Sequence, residues 1–409
     1  MNSQILLKAV EADKDSRISL LQSFTQAPSP NRPGDTRAAA NVLISYLHSL
    51  GITAEIIASQ PHMSNIVSNF NFTTPGPRLI MNGHIDVFPA NNGNDWARDP
   101  WSGNIANGRL HGRGTVDVKA GTAASAIAYS YLYRYREHLK GSLGLCAVSD
   151  EETGGKWGSK YLLEDERWRG DCKINAEPGG LGTILFAEKG TLRLTFVVRT
   201  EGAHGAYLHR SKSATRIAAT LIEDLAVVEE IVPKLEPELD EYLRRGDVRG
   251  AINGAMGEGA ADIVIKPTLN IGTIYGGLKV NMIPDKCVFE ADIRLPIGLK
   301  ADQVMEVIHG IVGRYPEATV EMQKAASNSA VACSHNHPMV KILARNMELV
   351  AGKRPLAILS IGATDCKFWR YNEVPAYVFG VSPQTMATRN ESVSVDEFLA
   401  VVKTHVLAR

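Results

Sequence analysis

The chain reads as an α/β protein, an α/β/α sandwich with a mainly parallel central sheet, interrupted by a smaller α+β unit. Three observations predict this. Apolar runs of strand length, beginning at Leu79 and at Leu143, alternate with helix-period segments, the order that builds a parallel sheet. The strand runs end abruptly in polar, acidic or glycine-rich residues, as they do when strands deliver side chains to the carboxyl edge of a sheet. Near Lys189 the texture changes to alternating strands, and from Val331 the α/β character returns. Residues 1–188 and 327–409 are therefore expected to form one domain, with 189–326 inserted into it.

In chain order, residues 4–25 show mixed helical periodicity, and Ala27-Pro28-Ser29-Pro30-Asn31-Arg32-Pro33-Gly34 must be a loop. Asp35 is placed to cap a helix with Ala38, Val42, Leu43, Tyr46 and Leu47 on its apolar side and Gly51 at its end. Strands follow at 53–57 and 65–70, then the strand from Leu79. Residues 89–113, rich in Gly, Asn, Pro and Trp, read as a long ordered loop, a feature usually kept for function. An Ala-rich helix at 119–139 leads to the strand at 143–148 and a short one at 173–175. In the insert, strands are expected at 191–199, 268–273, 287–294 and 319–323, and helices at 213–232 and 302–315. The stretch 236–259, charged and then Gly-rich, is assigned to the surface. A helix at 338–350 and strands at 357–360 and 376–379 complete the first domain.

With 409 residues, 44% of them hydrophobic, the chain suits two domains better than one core. Lys and Arg number 44 and so do Asp and Glu, and no long charged run stands out, which disfavours nucleic acid and anionic membranes as partners. The opening Met1-Asn2-Ser3-Gln4 lacks the features of a secretory signal, and no stretch is long enough to span a bilayer. Five scattered cysteines without CxxC spacing fit reduced thiols, hence a cytoplasmic protein.

The chemistry gathers in four clusters. In Asn82-Gly83-His84-Ile85-Asp86-Val87, His84 and Asp86 are two apart and share one side of a strand, a way for a carboxylate to orient an imidazole toward a metal. In Gly112-Arg113-Gly114-Thr115-Val116-Asp117-Val118-Lys119 the glycines allow tight turns, and Asp117 taken alone is a helix cap. Ser149-Asp150-Glu151-Glu152-Thr153-Gly154 sets three carboxylates side by side at a strand end, an arrangement that calls for a cation or a helix N-terminus to offset their repulsion. Ala176-Glu177-Pro178-Gly179 ends the next strand. Singly, each is an ordinary polar turn. Together they deliver one imidazole and several carboxylates, with no thiolate, to one sheet edge, a donor set that suits zinc or a related divalent ion.

These clusters, in this order and spacing, resemble the signature set of the zinc hydrolases that include acetylornithine deacetylase, succinyldiaminopimelate desuccinylase, aminoacylase, carnosine dipeptidase and glutamate carboxypeptidase. The resemblance spans essentially the whole chain. It implies that His84 binds one metal, Asp117 bridges two, and Glu152 and Glu177 each bind one. Zinc is the expected ion, with cobalt or manganese as substitutes. Asp86 would orient His84, and Glu151 would be the general base that moves a proton from a metal-bound water to the leaving amine. The insert resembles the family's lid or dimerisation domain, which implies a homodimer. Gly202-Ala203-His204-Gly205-Ala206 matches the element whose histidine stabilises an oxyanion, often in the partner subunit's site. Asn281, Arg294, Gly362 and Lys367 match positions that hold substrate, the arginine suiting a carboxylate and Lys367 standing where many relatives have arginine.

One departure stands out. The family usually has a last metal-binding histidine four residues before a glutamate, and alignment on Asn390-Glu391 puts Ala387 there. Glu391, Thr388, Ser392 or a water would have to substitute. His335 and His337 tempt as replacements, yet read better as part of the loop that re-enters the first domain and caps the next helix. The expectation is a metal-dependent amidohydrolase acting on an N-acyl amino acid or a short peptide-like amide. The alternative is a metal-poor relative that binds such a ligand without hydrolysis or performs altered biosynthetic chemistry.

Overall fold

The structure, a computed structural model, describes residues 3–90 and 95–409. A nine-stranded mixed sheet runs through the larger part. In spatial order it contains Glu55–Gln60, Met63–Asn71, Lys140–Val148, Thr74–His84, Cys172–Asn175, Ala376–Val378, Thr183–Glu188 and Val331–Ala332, with Leu356–Ser360 also paired to Thr183–Glu188. The central neighbours from Lys140–Val148 to Ala376–Val378 run parallel. Antiparallel pairs occupy the flanks. A parallel centre must be covered on both faces, and helices Lys14–Thr25, Arg37–Ser49, Ala120–Arg134, Pro338–Ala351 and Val395–Val406 contribute to one continuous core with it.

The Ala-rich helix Ala120–Arg134 comes closest to the site. A Cβ on Gly121 would collide with the Ala176 carbonyl, and one on Gly83 with the Thr122 hydroxyl. Small residues thus let the helix start against the strand ends that carry His84 and Glu177. Thr122 Oγ1 donates to the His84 carbonyl at 2.6 Å, locking that approach.

Residues from Gly190 onward build a second sheet, antiparallel, in the order Thr268–Gly276, Lys286–Leu295, Gly190–Arg199 and Ala318–Met322. Its strands alternate buried and open residues, and helices Ala214–Leu225 and Ala301–Val312 close a separate core around Phe196, Phe289, Leu221 and Ile308. Phe196 and Phe289 stack at 4.6 Å.

Several expectations are revised. Residues 4–25 form two helices, Ser3–Ala12 and Lys14–Thr25. Thr36, not Asp35, holds the cap position of Arg37–Ser49, but the Asp35 carboxylate accepts the helix's first N–H, from Arg37 at 3.1 Å, and pairs with the Arg37 side chain at 2.6 Å. The stretch 236–259 is not simply surface. Helices Pro237–Arg244, Gly246–Met256 and Ala260–Ile263 bury Leu243, Val248, Ile252, Ala260 and Ala261 in the larger core, and Tyr242 donates to the Ala357 carbonyl at 2.8 Å. Their apolar face is narrow and hidden among charges, which is why the sequence reads as exposed. Within the long loop, Asn104–Ala106 and Arg109–His111 form a hairpin across Asn107-Gly108, both at positive φ, and Ser392–Ser394 joins as a third strand. Residues 91–94 of the expected loop 89–113 lie outside the described residues. Among the described residues no helix is long and apolar enough to cross a membrane. All five cysteines are free.

Gly121→Ala tests the close approach. Its methyl has nowhere to go without shifting the strand end that bears Glu177, so a loss of about 1–3 kcal/mol is expected in denaturant unfolding.

Candidate metal centre

The strand ends bring the carboxylates and the imidazole together as the clusters predict. His84, at the end of Thr74–His84, is buried, and its Nδ1 lies 2.8 Å from the Asp86 carbonyl oxygen. A proton on Nδ1 fits that contact and leaves Nε2 free to ligate. Nε2 points at Asp117 Oδ1, 3.1 Å away, and at Glu177 Oε1, 3.4 Å away. Two overlapping triads, His84–Glu151–Glu177 and His84–Asp117–Glu152, each offer ligand atoms within 4.8 Å of one another. Glu152 Oε1 and Glu177 Oε1 are buried without a hydrogen-bond partner.

The Asp86 carboxylate does not make the closest contact to the imidazole. Its Oδ1 lies 3.4 Å from His84 Nδ1, farther than its own carbonyl. The carboxylate instead accepts from the backbone N–H groups of Glu151 and Glu152, both at 3.2 Å, and from Asn31 Nδ2 at 2.8 Å. It therefore pins the acidic turn. Asp150, the third carboxylate of that turn, has φ 74° and accepts from Thr153 Oγ1 and from Trp157 N, so it shapes the backbone and is no ligand. Asp117 is no helix cap either. It sits in an irregular turn, with the helix starting at Ala120.

The electrostatics ask for a cation. Burial pushes Glu151 up to about 8, with Asp365 and Asp117 adding to the rise while His84 and Lys367 oppose it. Burial and then Asp117 push Glu152 up to about 11. Glu177 lies well above the usual carboxylate range, chiefly from burial. Burial would favour a neutral His84, but Glu177, Asp117 and Asp86 outweigh it and hold the imidazole well above its ordinary value. A divalent ion reverses this logic by letting every carboxylate ionise. The orphaned glutamate oxygens and the N/O donor set fit such an ion.

The substitutes considered for the residue at Ala387 are otherwise engaged. Glu391 is fully buried: Oε2 accepts from Arg113 (2.6 Å) and Gly114 N (3.2 Å), and Oε1 from Val116 N (2.7 Å) and Asp117 N (3.1 Å). It is the anchor of the Asp117 turn, a role that Arg113 and the glycines signal only weakly in sequence. Thr388 donates to the Thr385 carbonyl at 2.9 Å, and Ser392 accepts from Arg109 Nε at 2.9 Å. His335 stacks on Tyr242 at 4.1 Å, and His337 stacks on Tyr377 and caps Pro338–Ala351 through Met339 N.

The substrate candidates fall in two places. Lys367, in the helix Cys366–Tyr371, is buried, donates to the Thr364 carbonyl at 3.0 Å and faces Glu151, and Gly362 lies on the loop that leads into that helix. Arg294 is near the crossover between the sheets, paired with Asp292 at 2.9 Å and opposite Thr191. His204 and Asn281 lie together at the other end of the small sheet, where Gly205 N donates to the Asn281 carbonyl at 2.7 Å. The strand Lys286–Leu295 separates the two ends by about 30 Å. One chain does not bring all four to one ligand.

A mixed sheet presenting buried carboxylates and an imidazole at its strand ends is the framework of a metal-dependent hydrolase. The chain belongs to peptidase family M20/M25/M40, whose model matches residues 80–408. The M20 metallo-carboxypeptidase Sso-CP2 of Sulfolobus solfataricus superposes with a TM-score of 0.80 at 20% identity, covering 96% of this chain and 98% of that one. Human carnosine dipeptidase 1 gives 0.78 at 16% identity, covering 100% and 98%. The YXEP protein of Bacillus subtilis, a dinuclear metal binding peptidase, gives 0.67 at 15% identity, covering 97% and 98%.

Glu391→Ala would strand the buried Arg113 guanidinium and three backbone N–H groups around Asp117. A loss of about 3–5 kcal/mol is expected in thermal or denaturant unfolding, with weaker metal retention by dialysis.

Proposed function

We propose that this protein is a zinc-dependent amidohydrolase, a deacylase or exopeptidase that cleaves an N-acyl amino acid or a short peptide-like amide. The observation that carries this reading is the pair of overlapping triads at the buried His84, His84–Glu151–Glu177 and His84–Asp117–Glu152. His84, Asp117 and Glu177 would hold one ion, and Asp117 and Glu152 would hold a second. A bound ion supplies a water of lowered pKa and polarises the scissile carbonyl. Glu151 takes the water's proton and delivers it to the departing amine nitrogen. The Lys367 ammonium beside Glu151 favours the carboxylate that a base must be, countering the upward push of burial. Arg294 and Lys367 suit a substrate carboxylate.

A homodimer fits the same reading. His204 and Asn281 lie beyond the end of the strand Lys286–Leu295 remote from Arg294, a strand about 30 Å long, so one ligand held by Arg294 would meet a partner's His204 and Asn281 more readily than its own chain's. Near that end Tyr275 is 70% exposed and Leu278 87%, an apolar surface a second copy would cover. The free thiols support a cytoplasmic setting. A second reading, a metal-poor relative without hydrolysis, draws support from Ala387 and from Glu391 being taken by the Asp117 turn.

Metal analysis and a panel of N-acetyl, N-succinyl and N-carbamoyl amino acids with dipeptides separate these readings. The first expects about two metal equivalents and turnover of at least one panel member. Glu151→Gln should retain metal and lose about a hundredfold or more in kcat. His84→Ala should lose both activity and tight metal binding. A protein that takes up no metal from zinc, cobalt or manganese would sink the first reading.

The raised carboxyl values set a pH signature for the metal-free protein. Folded Glu151 binds its proton more tightly than an ordinary glutamate at 4.5, so the stabilisation is complete below 4.5 and is lost as pH rises toward about 8. The metal-free melting temperature should fall across that window, and added zinc should reverse the fall while releasing protons in calorimetry.

A further inference from the structure

The crossover between the two sheets is a single residue, Lys189, between Thr183–Glu188 and Gly190–Arg199. Three other segments meet it. Lys189 Nζ donates to the carbonyls of Ile263 at 2.9 Å and Lys266 at 2.6 Å, where the chain passes from the helices of the larger core back to the small sheet. Lys189 N donates to the Ser360 carbonyl at 3.2 Å, at the head of the loop through Gly362 and Thr364 that leads into the helix carrying Lys367. Thr191 and Asn328 exchange backbone hydrogen bonds at 2.9 and 2.8 Å, at the return crossing.

Glu188 immediately precedes this knot and is buried. Its Oε2 accepts from Thr364 Oγ1 at 2.8 Å, Thr364 N at 3.2 Å and Arg370 at 3.1 Å. The Thr364 carbonyl in turn receives the Lys367 ammonium. A buried ion pair is a weak device for stability, since desolvation offsets the attraction. Here the geometry offers something more specific: the carboxylate at the crossover grips the residue that holds Lys367.

We propose that Glu188 is a positioning residue, which fixes Thr364 at the start of the helix Cys366–Tyr371, and Lys367 with it, and so transmits the setting of the small sheet unit to the surroundings of Glu151. This rests on Glu151 being the general base. Glu188 does not touch substrate; it acts through Thr364 and Lys367.

The test uses the zinc-loaded full chain and the best substrate of the panel above. Thr364→Val removes one hydroxyl, and Glu188→Ala removes the acceptor. Both should lower kcat by about ten- to a hundredfold, the scale for displacing a group without removing it, with zinc content unchanged. Glu188→Gln keeps an acceptor for Thr364 and should recover most of kcat. Lys189→Met, whose lost contacts lie at Ile263 and Lys266, should lower kcat in the same direction and speed hydrogen exchange of amides 361–367. Wild-type kcat in Thr364→Val, or lowered stability with kcat intact, would overturn the proposal. If Glu188→Ala does not fold, Thr364→Val decides. If wild type hydrolyses nothing on the panel, the functional reading fails and hydrogen exchange alone decides the coupling. Faster exchange at 361–367 in Lys189→Met supports it, and unchanged exchange overturns it.

Discussion

Asp117, Glu151, Glu152 and Glu177 converge on one buried imidazole, and that crowding is the constraint the rest of the structure serves. Without a cation, burial drives the three glutamates toward their protonated forms, and two of their oxygens have no partner. Parallel strands make the crowding possible, because each ends at the same edge and each contributes a residue there. The price is a fold that places like charges together and leaves their compensation to a ligand.

The supporting residues hold the backbone rather than the ion. Asp86 ties down the Glu151–Glu152 turn through two N–H groups, and Glu391 does the same for the Asp117 turn through three. Both carboxylates are buried and hydrogen-bonded, the condition under which a buried charge organises structure. Lys119 plays a matching part. Its buried ammonium donates to the Phe24 and Ala27 carbonyls, joining the end of the second helix to the start of the Ala-rich one. Burial lowers it to about 7.

The second sheet unit is not independent of this centre. Its own core is separate, yet its connections pass through a few residues around Lys189, and the intervening helices 237–263 return to pack on the larger sheet. The far end, with His204 and Asn281, is open and apolar, whereas the near end is stapled to the loop that leads into the helix bearing Lys367.

Much of this was legible in the residues themselves. Alternating strand and helix periods determined the α/β class. The His-x-Asp, Glu-Glu and Glu177 clusters, each at a strand end, put an imidazole and carboxylates on one edge because those strands run the same way, whereas Asp117 joins them from the irregular turn before Ala120. The Asn107-Gly108 hairpin was visible as a turn signal and was absorbed into a long loop. Other matters were decided only by tertiary structure. Sequence could not tell a free carboxylate from an engaged one, so Glu391 stood as a substitute ligand for the residue at Ala387, although the Asp117 turn engages both of its oxygens. Which oxygen keeps an open lone pair depends on donors brought from distant segments, Arg113 to Glu391 and Thr364 to Glu188, and no local pattern encodes those partners.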